Sequence, residues 1–177
     1  MKKLDLKQLI KEEINNILNE SYESDINSYI NGNYSELYYF GGYEYPDRRN
    51  TNFPTDSTTA IDIIPSEKNK VWKNYIQADL DKNLNLPPKK VIFIPTGVIN
   101  NVDNLSKNIN NLLKSKGVVI INEYVAFSKD IIETLITKYK FKIINSNIKN
   151  QIKPEYAEEG EEYAVEGIYD TIILQKP

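Results

Sequence analysis

Residues 89–127 constrain the fold of this chain more than any other stretch, because they hold two apolar strands joined by one amphipathic helix. Residues 91–94 and 118–121 are unbroken apolar runs, as expected for strands buried on both faces. Between them, apolar residues recur at helical spacing at Val102, Leu105, Ile109, Leu112 and Leu113. Lysines in the last turn and Gly117 beyond it predict the end of that helix. Because a crossover helix joins parallel strands, the sequence predicts an α/β fold with a mainly parallel sheet.

The composition removes several kinds of chemistry. The 177 residues fit one domain, and they include no cysteine and no histidine. Disulfides, thiolate nucleophiles, a histidine base and the commonest zinc ligands are therefore excluded, and we expect no metal site. No apolar run approaches the roughly 20 residues of a membrane span, and the N-terminus lacks a signal peptide, so we expect a cytoplasmic protein. The net charge of −3 argues against strong binding to nucleic acid, but it leaves room for a local basic patch.

The remaining segments complete a sheet of alternating elements. Further strands are predicted at residues 36–40, 59–65, 75–80, 141–148 and 169–174. Ser66 predicts the start of a short helix over residues 66–73, and Ser128 the start of a longer one. Residues 46–58 and 149–167 are predicted to be loops. We expect one α/β domain over residues 21–177, with a Rossmann-like, mainly parallel sheet and an antiparallel C-terminal strand.

Residues 5–19 are predicted to form an amphipathic helix that starts with a capping box at Asp5 and Gln8. This helix either packs on its own domain or docks on another protein. The stretch resembles the short N-terminal helices of tailed-phage proteins, and Leu18-Asn19-Glu20 resembles a prohead-protease site. That resemblance implies a phage-encoded protein, cleavage after residue 20, and a location in the host cytoplasm or the virion.

The ends of the strands indicate where a ligand would bind. In open parallel sheets, ligands bind beyond the carboxyl ends of the strands. Pro95-Thr96-Gly97 follows the first strand of the crossover, and Asn122-Glu123-Tyr124 follows the second. These two segments are therefore the candidate site that the topology predicts.

From about residue 36 to the C-terminus, the order of elements resembles the class I S-adenosylmethionine-dependent methyltransferases. Residues 60–63 look like the family's second strand, and the resemblance implies that Asp62 holds the ribose hydroxyls. Residues 77–80 and 84–87 look like the motif in which Asp79 contacts the adenine. Residues 91–123 resemble the fourth strand, helix and fifth strand, and residues 169–176 the antiparallel last strand. The cofactor-binding residues implied for S-adenosylmethionine are Gly41, Gly42, Asp62, Asp79, Pro95 and Thr96.

The chain departs from that family at its first strand. The family has an acidic residue followed by spaced glycines, whereas this chain has only the adjacent pair Gly41-Gly42, followed by a poor helix. The segment from Ile94 to Gly97 also lacks the Asp/Asn-Pro-Pro-aromatic motif, so the resemblance implies that amino groups in DNA are not the methyl acceptor. No catalytic residue is identified.

Three functions remain open at this point. The first is a small methyltransferase-like protein that uses S-adenosylmethionine and an unknown acceptor. The second is a catalytically inactive methyltransferase fold that serves as an interaction or virion-associated protein, with residues 5–19 as the contact. The third is a nucleotide-binding doubly wound domain without methyl chemistry. For the first, we expect Asp62 and Asp79 at the carboxyl ends of adjacent strands, near Gly41 and Pro95.

Overall fold

The computed structural model describes residues 28–41, 53–68, 71–95, 98–145 and 169–177. Within these ranges lie two α-helices, α1 (Val102–Leu112) and α2 (Val125–Thr137), and two short 3-10 helices, Tyr34–Glu36 and Ser66–Lys68. Residues 28–30 are also helical and lead into a turn in which Gly32 has a φ of +68°. The strands are β1 (Leu37–Phe40), β2 (Thr59–Asp62), β3 (Asn74–Gln77), β4 (Lys89–Ile94), β5 (Leu113–Tyr124), β6 (Lys142–Asn145) and β7 (Tyr169–Gln175).

The seven described strands form one sheet in the order β3-β2-β1-β4-β5-β7-β6. Strands β1 to β5 pair in parallel, with Val91 opposite Val118 in the central pair. Strand β7 runs antiparallel to both β5 and β6. The predicted parallel crossover and the antiparallel closing strand are therefore confirmed, and β4 is the central strand.

Helices α1 and α2 cover one face of the sheet because each presents a stripe of apolar residues to it. Leu105, Ile109 and Leu112 of α1 are buried against the strands, as are Ile131 and Leu135 of α2. The side chain of Asn101 accepts a hydrogen bond from the backbone N–H of Asn104 at 3.1 Å and so caps the start of α1. Each of these helices connects two strands that run in the same direction, so both strands begin at the same edge of the sheet.

An aromatic cluster packs on the opposite face. The rings of Tyr39, Phe53, Trp72 and Phe93 lie with their centroids 4.9–5.5 Å apart, several of them edge to face. All four side chains are buried. Tyr39 thus contributes to the core, and such ring pairs add stability beyond the area they bury.

Several predicted boundaries differ from the structure. Helix α2 begins at Val125, so Ser128 is a buried residue inside the helix and not its cap. The segment that starts at Ser66 forms only a 3-10 turn. The residue with the left-handed conformation here is Lys116, with a φ of +62°, and not Gly117. A Cβ at residue 117 would lie 2.8 Å from the carbonyl oxygens of both Lys90 and Lys114, so the glycine is required for close packing of the backbone.

Lys89 connects three strands at the edge where the parallel strands begin. Its ammonium group donates hydrogen bonds to the Ser35 carbonyl at 2.8 Å and to the Thr59 hydroxyl at 2.6 Å. It also lies 4.6 Å from the centre of the Tyr38 ring. Burial disfavours the charged form and lowers the pKa of Lys89.

The predicted helix at residues 5–19 lies outside the described residues. So do residues 42–52 and 146–168, which include part of the predicted loop at residues 46–58 and all of the one at residues 149–167. Among the residues that are described, no helix is long and apolar enough to cross a membrane.

Candidate functional site

The parallel strands bring the predicted site residues to one edge, here called the carboxyl edge. Gly41 directly follows β1, Asp62 is the last residue of β2, and Pro95 directly follows β4. Asp79 lies two residues beyond the end of β3. Of the remaining predicted residues, Gly42, Thr96 and Gly97 lie outside the described part of the chain.

Backbone hydrogen bonds continue the sheet beyond the strands and fix the relative positions of these residues. The N–H of Gly41 donates to the carbonyl of Ile61 at 2.8 Å, and the N–H of Ala78 donates to the carbonyl of Asp62 at 2.8 Å. Asp62 is therefore flanked by the end of β1 on one side and by the segment after β3 on the other. Gly41 and Asp62 occupy adjacent strand ends, and Asp79 follows β3, the strand next to β2 on its other side.

Asp62 is partly buried and belongs to a tight turn. Its Oδ1 accepts a hydrogen bond from the backbone N–H of Ile64 at 3.1 Å. The Tyr75 hydroxyl donates to the carbonyl of Ile64 at 2.7 Å and holds the same turn against β3. Between them, the Ile63 side chain is 59% exposed. A carboxylate and an exposed apolar side chain therefore lie together at the end of β2.

The carboxylate of Asp79 caps the turn that follows β3. Its Oδ1 accepts from the N–H of Asp81 at 2.9 Å, and its Oδ2 lies 3.5 Å from the ammonium nitrogen of Lys82. The backbone N–H of Lys82 also donates to the Asp79 carbonyl at 3.0 Å. This arrangement matches the turn-capping pattern typical of aspartate. The contact between Asp79 and an adenine stays a prediction.

Two asparagines of α1 hold the loop at residues 78–88, which connects β3 to β4. The Asn108 amide nitrogen donates to the carbonyls of Leu80 at 2.9 Å and Lys82 at 2.7 Å, and its oxygen accepts from the N–H of Leu84 at 3.0 Å. Asn104, one turn earlier, donates to the Asp81 carbonyl at 2.7 Å. Asn108 is fully buried.

Sequence reasoning missed Asn108 because it assigned the asparagines of this helix to its polar side. A signal was present, however. Residue 108 lies three positions after Leu105 and four before Leu112, so it belongs to the buried stripe of the helix. A polar residue at such a position must find hydrogen-bond partners, and the loop at residues 78–88 supplies them.

Gly41 is required by its backbone and by its neighbour. Its φ is +69°, a conformation that residues with a Cβ rarely adopt. A Cβ at this position would also collide with a methyl group of Val98, which belongs to the segment between β4 and α1. The segments that follow β1 and β4 therefore contact each other at the carboxyl edge.

At the far side of the same edge, Asn122 lies near the end of β5 opposite Thr171 of β7. Asn122 is only 6% exposed, and its amide oxygen accepts from the Thr171 hydroxyl at 3.4 Å. Across the described ranges, no group of three or more acidic side chains is arranged to hold a metal ion.

Comparison with solved structures supports the fold. The [4+2]-cyclase SpnF superposes with a TM-score of 0.59 at 15% identity, over 80% of this chain and 74% of SpnF. The StiE O-MT domain gives 0.55 at 14% identity, over 85% of this chain and 72% of that domain. The N-methyltransferase NodS from Bradyrhizobium japonicum WM9, in complex with S-adenosyl-L-homocysteine, gives 0.52 at 11% identity, over 80% and 77%. The chain has a Rossmann-like methyltransferase fold.

The fold alone does not decide the activity. One of these structures is a cyclase and another is an N-methyltransferase, and all are at most 15% identical to this chain. No protein-family model matches the sequence, and no curated protein matches it either. Function must therefore be argued from the carboxyl edge itself.

Proposed function

We propose that this protein binds S-adenosylmethionine at the carboxyl edge of β1, β2 and β3, and that it transfers the methyl group to an acceptor not yet identified. The observation that carries the proposal is the position of Asp62. It is the last residue of β2, beside Gly41 at the end of β1, in a sheet with the strand order β3-β2-β1-β4-β5-β7-β6. In such sheets, ligands bind at this edge.

The residues present fit an adenosyl group in part. The Asp62 carboxylate can accept hydrogen bonds from both ribose hydroxyls, and the exposed Ile63 side chain offers an apolar surface to a base. The backbone at Gly41 and at Pro95 would line the same edge. Asp79 fits less well, because both of its oxygens already have partners in its own turn.

When bound, S-adenosylmethionine supplies an electrophilic methyl group. Transfer of that group is an in-line displacement, so the protein's main task is to orient the donor and the acceptor. This requirement suits a chain without histidine or cysteine. Asn122 lies near the end of β5 and Pro95 directly follows β4, and we expect the acceptor to approach on this side of the carboxyl edge.

A second function is favoured by two particular observations. The glycine at residue 41 is explained by its φ and by Val98, and the carboxylate of Asp79 is explained by its own turn. Neither feature needs a cofactor. We therefore keep, as the alternative, a catalytically inactive methyltransferase fold that acts as an interaction or virion-associated protein, with residues 5–19 docking on the partner.

Calorimetric titration with S-adenosylmethionine and S-adenosylhomocysteine distinguishes the two. We expect binding by the wild type and a loss of roughly 10- to 150-fold in Asp62→Ala, the range for hydrogen bonds to a charged group. Asp56→Ala is the matched control, since Asp56 is exposed and precedes β2 at the opposite edge. Absence of binding by the wild type would refute the proposal and favour the alternative. Unchanged affinity in Asp62→Ala would remove Asp62 from the site.

A further inference from the structure

The edge at which the parallel strands begin, here called the amino edge, is rich in lysine. Lysines directly precede or start three of the six strands that begin there, β3, β4 and β6, and one more follows β7, which ends there. The described lysines at this edge are Lys73, Lys89, Lys90, Lys114, Lys116, Lys140, Lys142 and Lys176. The described acidic residues near the same edge are Glu36 and Asp56.

Several of these lysines have structural partners. Lys89 and Lys176 donate to backbone carbonyls, and the ammonium group of Lys114 lies 2.7 Å from a carboxylate oxygen of Glu36. Within the described residues, no ion pair or hydrogen bond involves the ammonium groups of Lys90, Lys116 and Lys142, and all three side chains are exposed. Their ammonium groups are therefore open to direct contact with a partner, and the charge of Lys90 also acts on Glu36, whose pKa it helps to lower.

These three lysines lie along the amino edge, but not on one face of the sheet. Lys90 is in β4, Lys116 in the adjacent β5, and Lys142 in β6, which is two strands further on. Lys142 is in register with Val91, so Lys90, the neighbour of Val91, lies on the opposite face. With about 4.8 Å between neighbouring strands, their positions along the edge span roughly 15 Å. Duplex DNA carries one negative charge per about 1.7 Å of its axis, so an edge of this length faces several phosphates.

Acidic residues collect at the opposite, carboxyl edge. Those that follow the parallel strands or lie in the adjacent turns are Asp62, Glu67, Asp79, Asp81, Asp103 and Asp130. Two of them have lysine partners, since Asp79 lies 3.5 Å from the ammonium nitrogen of Lys82 and Asp103 lies 3.8 Å from that of Lys138. The six residues of β4 separate the two edges by about 20 Å. This distance exceeds the Debye length of about 8 Å at physiological salt, so the acidic edge does not cancel the basic one for a ligand.

We infer that the amino edge binds the phosphodiester backbone of nucleic acid without reading its sequence. Single ammonium groups attract phosphates as point charges and make no bidentate contacts to bases. The net charge of −3 does not oppose this binding, because eight described lysines lie at the amino edge beside two described acidic residues. The surface lies opposite the candidate cofactor site, so the two proposals can fail independently.

The test is fluorescence anisotropy with labelled 20-base-pair DNA of two unrelated sequences in 50–200 mM salt. The edge variant carries Lys90→Gln, Lys116→Gln and Lys142→Gln. Each phosphate contact changes the salt slope by about 0.9 and is worth on the order of tenfold at 50 mM salt. We expect similar affinity for both sequences, a loss of at least about 100-fold in the edge variant, and a slope that is smaller by about 2 to 3.

A variant with Lys68→Gln, Lys107→Gln and Lys129→Gln is the matched control, because these exposed lysines lie away from the amino edge and the change in net charge is the same. The control should bind within about threefold of the wild type. Equal weakening in both variants, or no binding by the wild type, would overturn the inference. Sedimentation that shows a salt-sensitive dimer lost in the edge variant would also overturn it, since the acidic edge of a second copy would then occupy the lysines.

Discussion

Replacing Asn108 with alanine removes the side chain that holds residues 78–88 against α1. Three backbone groups of that loop, the carbonyls of Leu80 and Lys82 and the N–H of Leu84, would lose their partner. A buried group left without a hydrogen bond costs about 1–3 kcal/mol, and these groups are partly buried, so we expect a total of roughly 2–4 kcal/mol. For a chain of this length, that corresponds to a fall in Tm of roughly 5–15 °C.

Urea denaturation and calorimetry of the purified protein measure this loss. Asn111→Ala is the matched control, because Asn111 is exposed on the same helix and alanine there should change the free energy of unfolding by less than about 0.5 kcal/mol. Asn104→Ala, which loses one contact to the Asp81 carbonyl, should cost about 1 kcal/mol. A cost below 1 kcal/mol for Asn108→Ala would refute the reasoning, since it would mean that water satisfies the loop as well as the side chain does.

Two further substitutions test contacts at the opposite edges of the sheet. Gly41→Ala should destabilise the protein by roughly 2–4 kcal/mol, because alanine is strained at positive φ and its Cβ meets Val98. Adding Val98→Ala should recover part of this loss. If the two changes in the free energy of unfolding, measured in urea, are fully additive, the contact is contradicted. The hydrogen bond from Lys114 lowers the pKa of Glu36 below its ordinary value of 4.5. The pair therefore stabilises the native state above pH 4.5, and this stabilisation is lost as the pH falls through the lower native pKa. Glu36→Gln should therefore flatten the acid-induced fall in Tm below about pH 4.5, and an unchanged pH profile would show that the pair contributes nothing measurable.

The sheet could be predicted from the sequence because its strands have strong local signals. Residues 91–94 and 118–121 are apolar throughout, which is typical of strands covered on both faces, and the helix between them has regular spacing. Crossover rules then fix the parallel pairing. The same reasoning located Pro95 at the carboxyl edge, because residues that follow parallel strands must lie there, whereas Gly41 and Asp62 were expected there from the resemblance to the methyltransferase family.

Tertiary contacts determined what the sequence could not show. Ser128 has the chemistry of a helix cap, but α2 starts three residues earlier at Val125. Asn108 resembles any polar helix residue until its partners, which lie 24 to 28 residues earlier in the chain, are known. Asp79 resembles a ligand-binding carboxylate until the turn that it caps is seen. In each case, the deciding interaction is a backbone geometry or a distant partner that residue type does not reveal.

The separation of charge between the two edges follows from the order of residues around each strand. In a parallel sheet, residues before a strand lie at one edge and residues after it lie at the other. In this chain, Lys73, Lys89 and Lys90 precede or begin strands, whereas Asp62 and Asp79 end or follow them. Net charge averages over this order and so hides it. A basic edge and an acidic edge can therefore be predicted for a parallel sheet once its strands are assigned, and each edge then implies a different class of ligand.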